Sequence, residues 1–349
     1  MRTAETVLNV IRNRGINGLP LDDVYRQLFN PSLYLLAYSR IYNNDGALTT
    51  GTTEETVDGM SRKKIEAIIT DLRYERYRWT PVRRVHIPKK NGKTRPLGLP
   101  SWSDKLLQEV LRLILEAYYE PRFSESSHGF RPNRGCHTAL RAIQDEWTAT
   151  TWFIEGDIRG CFDNIDHDYL MAILQEHITD NRFLRLLANL FKAGYLEDWK
   201  YNATLSGVPQ GGIVSPILTN IYLDRLDKFV EQALIPEFTR GKKRAKSMAY
   251  MKRCLRAWYL RRAGRFDEAR ALEKEYQAMP SMDANDPNYR RLRYVRYADD
   301  FILGFIGSMA EARDIKAKLE VFLRETLKLE LSGEKTLITH ARTPMPRNS

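Results

Sequence analysis

The sequence predicts an α+β fold in two parts, and three observations support that class. The chain has 349 residues, which fits two domains or one large domain in two parts. Residues 103–117, among others, carry apolar side chains at helical spacing. Residues 83–99 and 294–305 instead form apolar or alternating runs around tight turns, as antiparallel strand pairs do. Helices and hairpins thus follow one another along the chain.

The first eighty residues are predicted to be helical with interruptions. Apolar residues recur at helical spacing in residues 21–29 and 33–42. Residues 43–60 are rich in Gly and Thr, which is typical of a loop. Ser61 can cap the next helix, which should reach about residue 77 with one apolar face.

A β-hairpin with a basic tip is predicted at residues 83–99. Asn91-Gly92 is the dipeptide that most strongly favours a two-residue hairpin turn. The basic residues at this tip are Lys89, Lys90, Lys93 and Arg95. A helix with a wide apolar face should then begin at Ser103.

The second half of the chain alternates between strands and helices. We expect a buried strand at residues 152–158, helices around 169–177 and 183–193, a helix from Ser215-Pro216 to about 234, two strands within 294–305, a helix from a Ser308–Glu311 capping box to about 327, and one or two strands at 330–340.

The composition points to a polyanionic partner. The chain has 55 Lys+Arg against 44 Asp+Glu, a formal net charge of +11, and 43% hydrophobic residues exclude global disorder. No window approaches the roughly 20 apolar residues of a membrane span, and the N-terminus lacks a signal-peptide core. The three cysteines stand apart without a C-x-x-C pair, which argues against a disulfide framework or a zinc site. A reduced, intracellular and cytoplasmic protein is therefore expected.

The charge is concentrated in residues 240–265, which contain eleven Lys and Arg residues and no acid. Tyr250, Trp258 and Tyr259 lie between them. Such a run can be an ordinary solvated helical face, or it can contact a phosphate backbone. The candidate RNA contacts are Lys242, Lys243, Arg244, Lys252, Arg253 and Arg256.

Three aspartates are candidates for metal binding. Asp157 ends the predicted strand at 152–158, and Asp299-Asp300 lies between two apolar strands. Neighbouring acids between hydrophobic strands are costly unless a cation neutralises them. Oxygen ligands without His or Cys favour Mg²⁺, and two such ions support in-line phosphoryl displacement by a 3′-hydroxyl. An ordinary Asp-Asp turn is the alternative reading of the pair taken alone.

Five segments in order resemble the motifs of reverse transcriptases. YADD at Tyr297–Asp300 resembles the catalytic signature, and GDIRGCFDNIDH at 156–167 resembles the other metal-binding motif. GVPQGGIVSPILTNIYLDRLD, IPKKNGKTRPLGLP and LSGEKTLITH are similar to the templating-pair loop and helix, the fingers hairpin and the next palm element. SSHGFRPNRGCHTAL and PQGGIVSPILTNIYL narrow the resemblance to group II intron-encoded proteins. Thr53-Glu54 departs from the Asp-Gly pair expected in the N-terminal loop.

The resemblance implies roles for individual residues. Asp157, Asp299 and Asp300, with the backbone carbonyl of Ile158, match the ligands of two Mg²⁺ ions. Phe162 matches the steric gate beneath the sugar, although a core phenylalanine would look the same in sequence. Nucleotide-binding positions are matched by Lys93 and Arg95 at the triphosphate, Gln210 at the sugar and Lys335 as donor to pyrophosphate. Lys89 or Lys90 could replace Lys93, and Lys335 could be a surface lysine.

The implied architecture is a right-hand polymerase fold reduced to fingers and palm, without a thumb. The expected organisation is an N-terminal RNA-binding extension at 1–60, fingers at 61–150, and a palm at 151–349 with a basic insertion at about 236–292. The fingers should be mostly helical, and helices should back an antiparallel palm sheet. Because family members continue into a thumb, the chain is expected to be part of a longer protein.

The implied function is an RNA-directed DNA polymerase that copies group II intron RNA during retrohoming and assists its splicing. Its expected partners are intron RNA, an RNA template with a DNA primer, and deoxynucleoside triphosphates, with no membrane; a homodimer is left open. One alternative is a splicing maturase with vestigial polymerase activity. The other is a retron, diversity-generating or CRISPR-associated reverse transcriptase. An RNA polymerase is disfavoured because Phe162 would obstruct a 2′-hydroxyl.

Overall fold

The computed structural model describes residues 2–44, 46–88, 92, 94–198, 200–204, 206–208, 211–283 and 286–341. Two predicted nucleotide-binding residues, Lys93 and Gln210, lie outside the described residues, as do Lys89, Lys90 and Asn91 of the predicted hairpin tip.

The N-terminal part consists of helices packed around one central helix. Its elements in order are α1 (Ala4–Ile16), a 3₁₀ turn (Tyr25–Phe29), α2 (Pro31–Ile41), α3 (Arg62–Arg73), β1 (Val82–Pro88), β2 (Thr94–Leu99), α4 (Trp102–Tyr119) and α5 (Cys136–Glu146). Helices α1 and α2 both pack on α4, and 15 of the 18 residues of α4 are buried. This helix is therefore at the centre of the hydrophobic core of the N-terminal part.

The C-terminal part contains the second sheet and its covering helices. Its elements are β3 (Trp152–Asp157), α6 (Cys161–Asn164), α7 (His167–Gln175), α8 (Asn181–Phe191), β4 (Tyr195–Glu197), β5 (Lys200–Asn202), α9 (Ser215–Phe229), α10 (Ile235–Glu237), α11 (Met248–Arg262), α12 (Phe266–Gln277), β6 (Arg291–Tyr297), β7 (Asp300–Ile306), α13 (Met309–Glu325) and β8 (Ile338–His340). A π-helical stretch joins α9 to α10, so the helix predicted to reach about residue 234 does so.

The described strands form two sheets of four. One has the order β6-β7-β3-β8, with every neighbouring pair antiparallel. The other has the order β2-β1-β4-β5, in which β4 runs parallel to β1 and the other pairs are antiparallel. The predicted hairpin and antiparallel sheet are confirmed. The pairing of β4 with β1 ties residues 195–202 to the hairpin sheet rather than to the sheet formed by β3, β6 and β7.

Several local predictions need correction. Helix α3 ends at Arg73, about four residues before the predicted end, although Ser61 caps its start by accepting a hydrogen bond from the Lys64 amide. Ser215 is the first residue of α9 rather than its cap, because Val214 occupies the N-cap position. The prediction of one or two strands at 330–340 agrees with the structure, which has one short strand, β8, and an isolated bridge between Leu331 and Ile158.

The predicted basic run folds as a helical hairpin. Helices α11 and α12 pack on each other, and each exposes most of its surface. The run is balanced in part by acids from α12, because Arg253 pairs with Glu275 at 3.6 Å and Arg261 with Glu273 at 2.9 Å. A count of charged residues within 240–265 alone therefore overestimates the positive charge of this part of the surface. Among the helices of the described residues, none is both long and apolar enough to cross a bilayer.

Candidate active site

The three predicted metal-binding aspartates meet at one end of the β6-β7-β3-β8 sheet. Asp157 is the last residue of β3 and lies directly opposite Asp300, the first residue of β7. Asp299 lies in the two-residue turn that joins Tyr297 to Asp300. Sheet register thus places side by side acids that are more than 140 positions apart in the sequence.

The acids repel one another, and a lysine reduces that repulsion. Burial, followed by the charges of Asp299 and Asp157, raises the pKa of Asp300 above its usual value, although part of the residue remains exposed. The Lys335 ammonium donates to Asp157 Oδ1 at 2.9 Å and counters the rise. That hydrogen bond also raises the pKa of Lys335. The predicted proton donor and the predicted metal ligands are therefore in direct contact.

The donor chemistry of this site fits a hard divalent cation. Asp157, Asp299 and Asp300 offer only oxygen ligands. The side chain of Ile158 is apolar and buried, so this residue can contribute only its main-chain carbonyl oxygen. The raised pKa of Asp300 marks negative charge that a cation would neutralise. In the part of the chain that the structure describes, no three His, Cys, Asp or Glu side chains converge into a ready metal cage. Side-chain rearrangement, including that of Lys335, would accompany metal binding.

Magnesium should raise the melting temperature of the chain, and Asp300→Asn should remove most of that rise. The pKa of Asp300 is higher in the folded chain than in the unfolded chain. The folded state therefore loses stability as the pH rises from the ordinary carboxyl pKa through the raised pKa of Asp300. At neutral pH the charge of Asp300 consequently opposes folding. Without magnesium, the Asn variant should therefore melt higher than the wild type. A ligand at about 10 times its dissociation constant stabilises by about 1.4 kcal/mol. Thermal unfolding with and without about 10 mM MgCl₂ measures both effects, because this concentration exceeds a millimolar dissociation constant.

Asp314→Asn is the matched control, because Asp314 lies on α13, where its partner is the partly exposed Lys318. This variant should keep the full magnesium effect. If Asp300→Asn also kept it, the ion would bind elsewhere.

The turn that carries Asp299 has an unusual backbone. Ala298 is buried at a φ of +58°, a region that residues other than glycine rarely adopt. Gly129 packs against it so closely that a Cβ there would lie 2.2 Å from the Ala298 nitrogen. Arg296 Nη1 donates to the Ala298 carbonyl at 2.7 Å. The position of the Asp299 turn is thus set by the 126–131 loop and by Arg296.

Arg296 is part of a buried ion-pair network that sequence reasoning missed. Its guanidinium is fully buried and donates from Nε and Nη2 to Asp227 at 2.7 and 2.6 Å. It also donates to Asn220 Oδ1 at 3.1 Å and to Ser127 Oγ at 2.9 Å. The Tyr294 hydroxyl donates to the same Asp227 at 2.8 Å. This network connects the Asp299 turn to α9. Its only sign in the sequence is that Arg296 stands between Val295 and Tyr297 in a predicted strand.

Phe162 lies on α6 in the connection that follows β3 and Asp157. Its ring is half-buried, and its carbonyl accepts a hydrogen bond from the Val208 amide at 2.8 Å. Gly207 has a φ of +86°, and a Cβ there would lie 2.7 Å from the Phe162 carbonyl oxygen. Only glycine fits this approach, which explains the first glycine of the GVPQGG motif. Gly207 and Val208 are therefore anchored to the main chain of the predicted gate residue.

The β1–β2 hairpin lies across a cavity from residues 206–208. Arg95 is an exposed residue of β2, opposite Ile87 in the register. The cavity has a volume of about 390 Å³, and Arg84, Gly98 and Asp163 contribute to its walls. Arg95 thus belongs to the β2-β1-β4-β5 sheet, whereas the aspartates and Lys335 lie at the other sheet.

The six candidate RNA contacts lie on and before α11. Lys242, Lys243, Lys252 and Arg256 are exposed. The Arg244 guanidinium lies over the Tyr289 ring at 5.5 Å, and Arg253 is the member that pairs with Glu275. Exposed Trp258 and Tyr259 accompany them on α11. The segment therefore presents cations and aromatic rings on α11 and on the residues that precede it.

Comparisons with known proteins agree with the predicted family. Residues 87–346 match the family model described as reverse transcriptase (RNA-dependent DNA polymerase). The group II intron-encoded protein LtrA of Lactococcus lactis subsp. cremoris is 46% identical over 331 residues, which cover 92% of this chain and 55% of LtrA. A 91 kDa protein in the cob intron of Schizosaccharomyces pombe is 41% identical, covering 95% of this chain and 41% of its own length. Protein YkfC of Escherichia coli K12 is 31% identical, and the similarity covers 93% of this chain and 81% of YkfC.

The chain thus spans about half the length of LtrA. The match to the family model extends from the β1–β2 hairpin to beyond the Asp299 turn, and the similarity to LtrA covers 92% of this chain. The chain belongs to the reverse transcriptase (RNA-dependent DNA polymerase) family and, within it, to the group II intron-encoded reverse transcriptases and maturases.

Proposed function

We propose that this chain is the fingers and palm portion of an RNA-directed DNA polymerase that copies group II intron RNA into DNA. The observation that carries the proposal is the register pairing of Asp157 with Asp300 beside the Asp299 turn. We assign fingers to 61–150 and palm to 151–349, with an RNA-binding extension at 1–60 and the basic insertion at 236–292. The β4–β5 hairpin, although inside the palm range, would act with the fingers because it pairs with β1.

The residues of the site would divide the reaction between them. Asp157, Asp299, Asp300 and the Ile158 carbonyl would hold two Mg²⁺ ions, which when bound activate a 3′-hydroxyl and neutralise pyrophosphate. Lys335 would move from Asp157 to the leaving pyrophosphate and donate a proton from its ammonium group. Phe162 would exclude a 2′-hydroxyl. At the triphosphate and sugar, the proposed contacts are Lys93, Arg95 and Gln210.

Primer extension tests this proposal. A DNA primer annealed to an RNA template should be extended with deoxynucleotides in the presence of MgCl₂, and extension with ribonucleotides should be much weaker. The same primer on a DNA template reports whether RNA is preferred. Extension only with ribonucleotides would contradict the assignment of Phe162 and the class of polymerase.

We also propose that the basic insertion binds the intron RNA and so assists splicing. The observation in favour is that Lys242, Lys243, Lys252 and Arg256 are exposed in a segment that also exposes Trp258 and Tyr259. Cations bind the phosphate backbone, and aromatic faces can stack on unpaired bases. This role is compatible with polymerisation, and it remains the alternative if the chain binds RNA but does not synthesise DNA.

Neutralising Lys242, Lys243 and Arg244 by alanine substitution should weaken binding to a structured group II intron RNA by about 10- to 30-fold at moderate salt. Each lost phosphate contact should also flatten the slope of log affinity against log salt by about one. Filter binding across a salt series measures both quantities.

The matched control replaces Arg313, Lys318 and Arg324 of α13 by alanine, which changes the net charge equally. If the two triple variants lost the same affinity, total charge rather than the insertion would account for RNA binding.

A further inference from the structure

Phe130 combines two unfavourable features next to the candidate active site. Its φ is +55°, in the left-handed region that is strained for an aromatic residue. Its side chain is also 52% exposed, so that about half of an apolar ring faces solvent. Strain and exposure persist together when the surrounding structure imposes them, and such residues cluster at functional sites.

The loop around Phe130 is fixed on both sides. The His128 amide donates to the Arg296 carbonyl at 2.8 Å, and Asn220 Nδ2 donates to the Gly129 carbonyl at 2.9 Å. On the other side, Arg131 is buried and donates to the Ser127 carbonyl at 2.8 Å and to Glu120. These contacts prevent the loop from relaxing the strained backbone of Phe130. The loop is also anchored to Arg296, the residue that holds the Asp299 turn.

The exposed ring lies against the predicted gate. The centroids of Phe130 and Phe162 are 6.4 Å apart with an interplanar angle of 79°, which is an edge-to-face contact. Such pairs have a preferred geometry, so one ring restricts the orientation of the other. Phe162 lies on a helix of only four residues, and Phe130 supplies a contact from a more rigid loop.

We propose that Phe130 is a positioning residue that braces the Phe162 ring and thereby determines how strictly the site excludes a 2′-hydroxyl. The proposal rests on the proposed function, because it requires Phe162 to be the sugar gate. Phe130 acts through Phe162 and need not touch the nucleotide. Without the brace, the Phe162 ring would turn away from the sugar and admit a ribonucleotide more readily.

The experiment compares dGTP with GTP as the next nucleotide opposite a template cytosine, on an RNA template with a DNA primer. Phe130→Ala should lower the dGTP preference by about 2- to 10-fold, the range that one aromatic pair provides. The change should appear as a lower KM for GTP, with kcat for dGTP nearly unchanged. Phe130→Tyr should keep the preference, because the ring is retained. Phe130→Ala in a Phe162→Ala background should add less than about twofold, since the brace has nothing left to hold.

A primer with a dideoxy end allows the same comparison by equilibrium binding of dGTP and GTP, which needs no chemistry. Phe130→Gly guards against misfolding, because glycine relieves the positive φ and should raise the melting temperature while the preference still falls. Tyr74→Ala, which truncates an exposed aromatic residue at the end of α3, should leave the preference unchanged.

The possible results separate this inference from the proposed function. If Phe162→Ala changes the preference and Phe130→Ala does not, the brace is wrong and the gate remains. If Phe130→Ala weakens dGTP and GTP equally, the ring contacts a base or the primer, and the brace is again wrong. If neither variant changes the preference in either assay, the gate assignment fails and the brace fails with it. The proposal is supported if Phe130→Ala and Phe130→Gly lower the preference for dGTP over GTP. It also requires that Phe130→Ala has little further effect on this preference in the Phe162→Ala background.

Discussion

Replacing Asp299 by alanine is expected to reduce RNA-templated DNA synthesis by at least about a thousandfold. Asp299 lies in the turn between β6 and β7, beside the paired Asp157 and Asp300. Removing one metal-binding carboxylate withdraws several kcal/mol of transition-state stabilisation, and each 1.36 kcal/mol is about tenfold in rate. Single-nucleotide incorporation under saturating substrate measures the loss.

The fold should survive this change. The positive φ of the turn belongs to Ala298, which is untouched, and the buried contacts of the turn are made by Gly129 and Arg296. Removing the Asp299 charge also removes one of the causes that raise the pKa of Asp300, which favours the folded state near neutral pH. RNA affinity should therefore stay within about twofold of the wild type, since no phosphate-binding cation is removed.

Asp314→Ala provides the comparison, because it removes an equal charge from α13, away from the sheet edge. Substantial primer extension by Asp299→Ala would show that the metal site has been assigned to the wrong residues. A parallel loss of RNA binding would instead indicate a folding defect.

The sequence predicted those features of the site that depend on local pattern. Apolar strands ending at Asp157 and beginning after Asp299 could be recognised from a few neighbouring residues, as could the Ser308–Glu311 capping box that the structure contains. The first eighty residues are predicted to be helical without bounds for a first helix, and the structure gives α1, which Thr3 caps and in which Val7 and Ile11 are buried.

Features that depend on distant pairing could not be predicted in this way. Arg296 and Asp227 are 69 residues apart, and neither has a local pattern that identifies its partner. The acids that offset the basic run belong to the next helix, so a count within 240–265 could not include Glu273 and Glu275. The strain of Phe130 is likewise a backbone property imposed by its neighbours in space. Each of these is a tertiary effect that sequence motifs do not encode.

Asp227→Ala should destabilise the chain by about 3–5 kcal/mol, the cost of leaving a buried charge without its partner. Both side chains of the Arg296–Asp227 pair are fully buried, and Asp227 also accepts from the Tyr294 hydroxyl. Urea unfolding measures the loss in the free energy of unfolding. Asp224→Ala on the same helix should cost less, because its partner Lys228 reaches solvent. Equal losses in these two variants would mean that the buried pair has no special role.

Replacing both partners separates stability from positioning. An Asp227→Leu/Arg296→Met variant has no buried charge at this point, and replacement of a buried ion pair by apolar residues is often neutral or stabilising. It should therefore recover much of the free energy that Asp227→Ala loses. It cannot restore the 2.7 Å hydrogen bond from Arg296 to the Ala298 carbonyl, so the turn that carries Asp299 loses its anchor. We expect a stable protein with poor primer extension, and full activity in the double variant would show that Arg296 stabilises the fold without positioning the Asp299 turn.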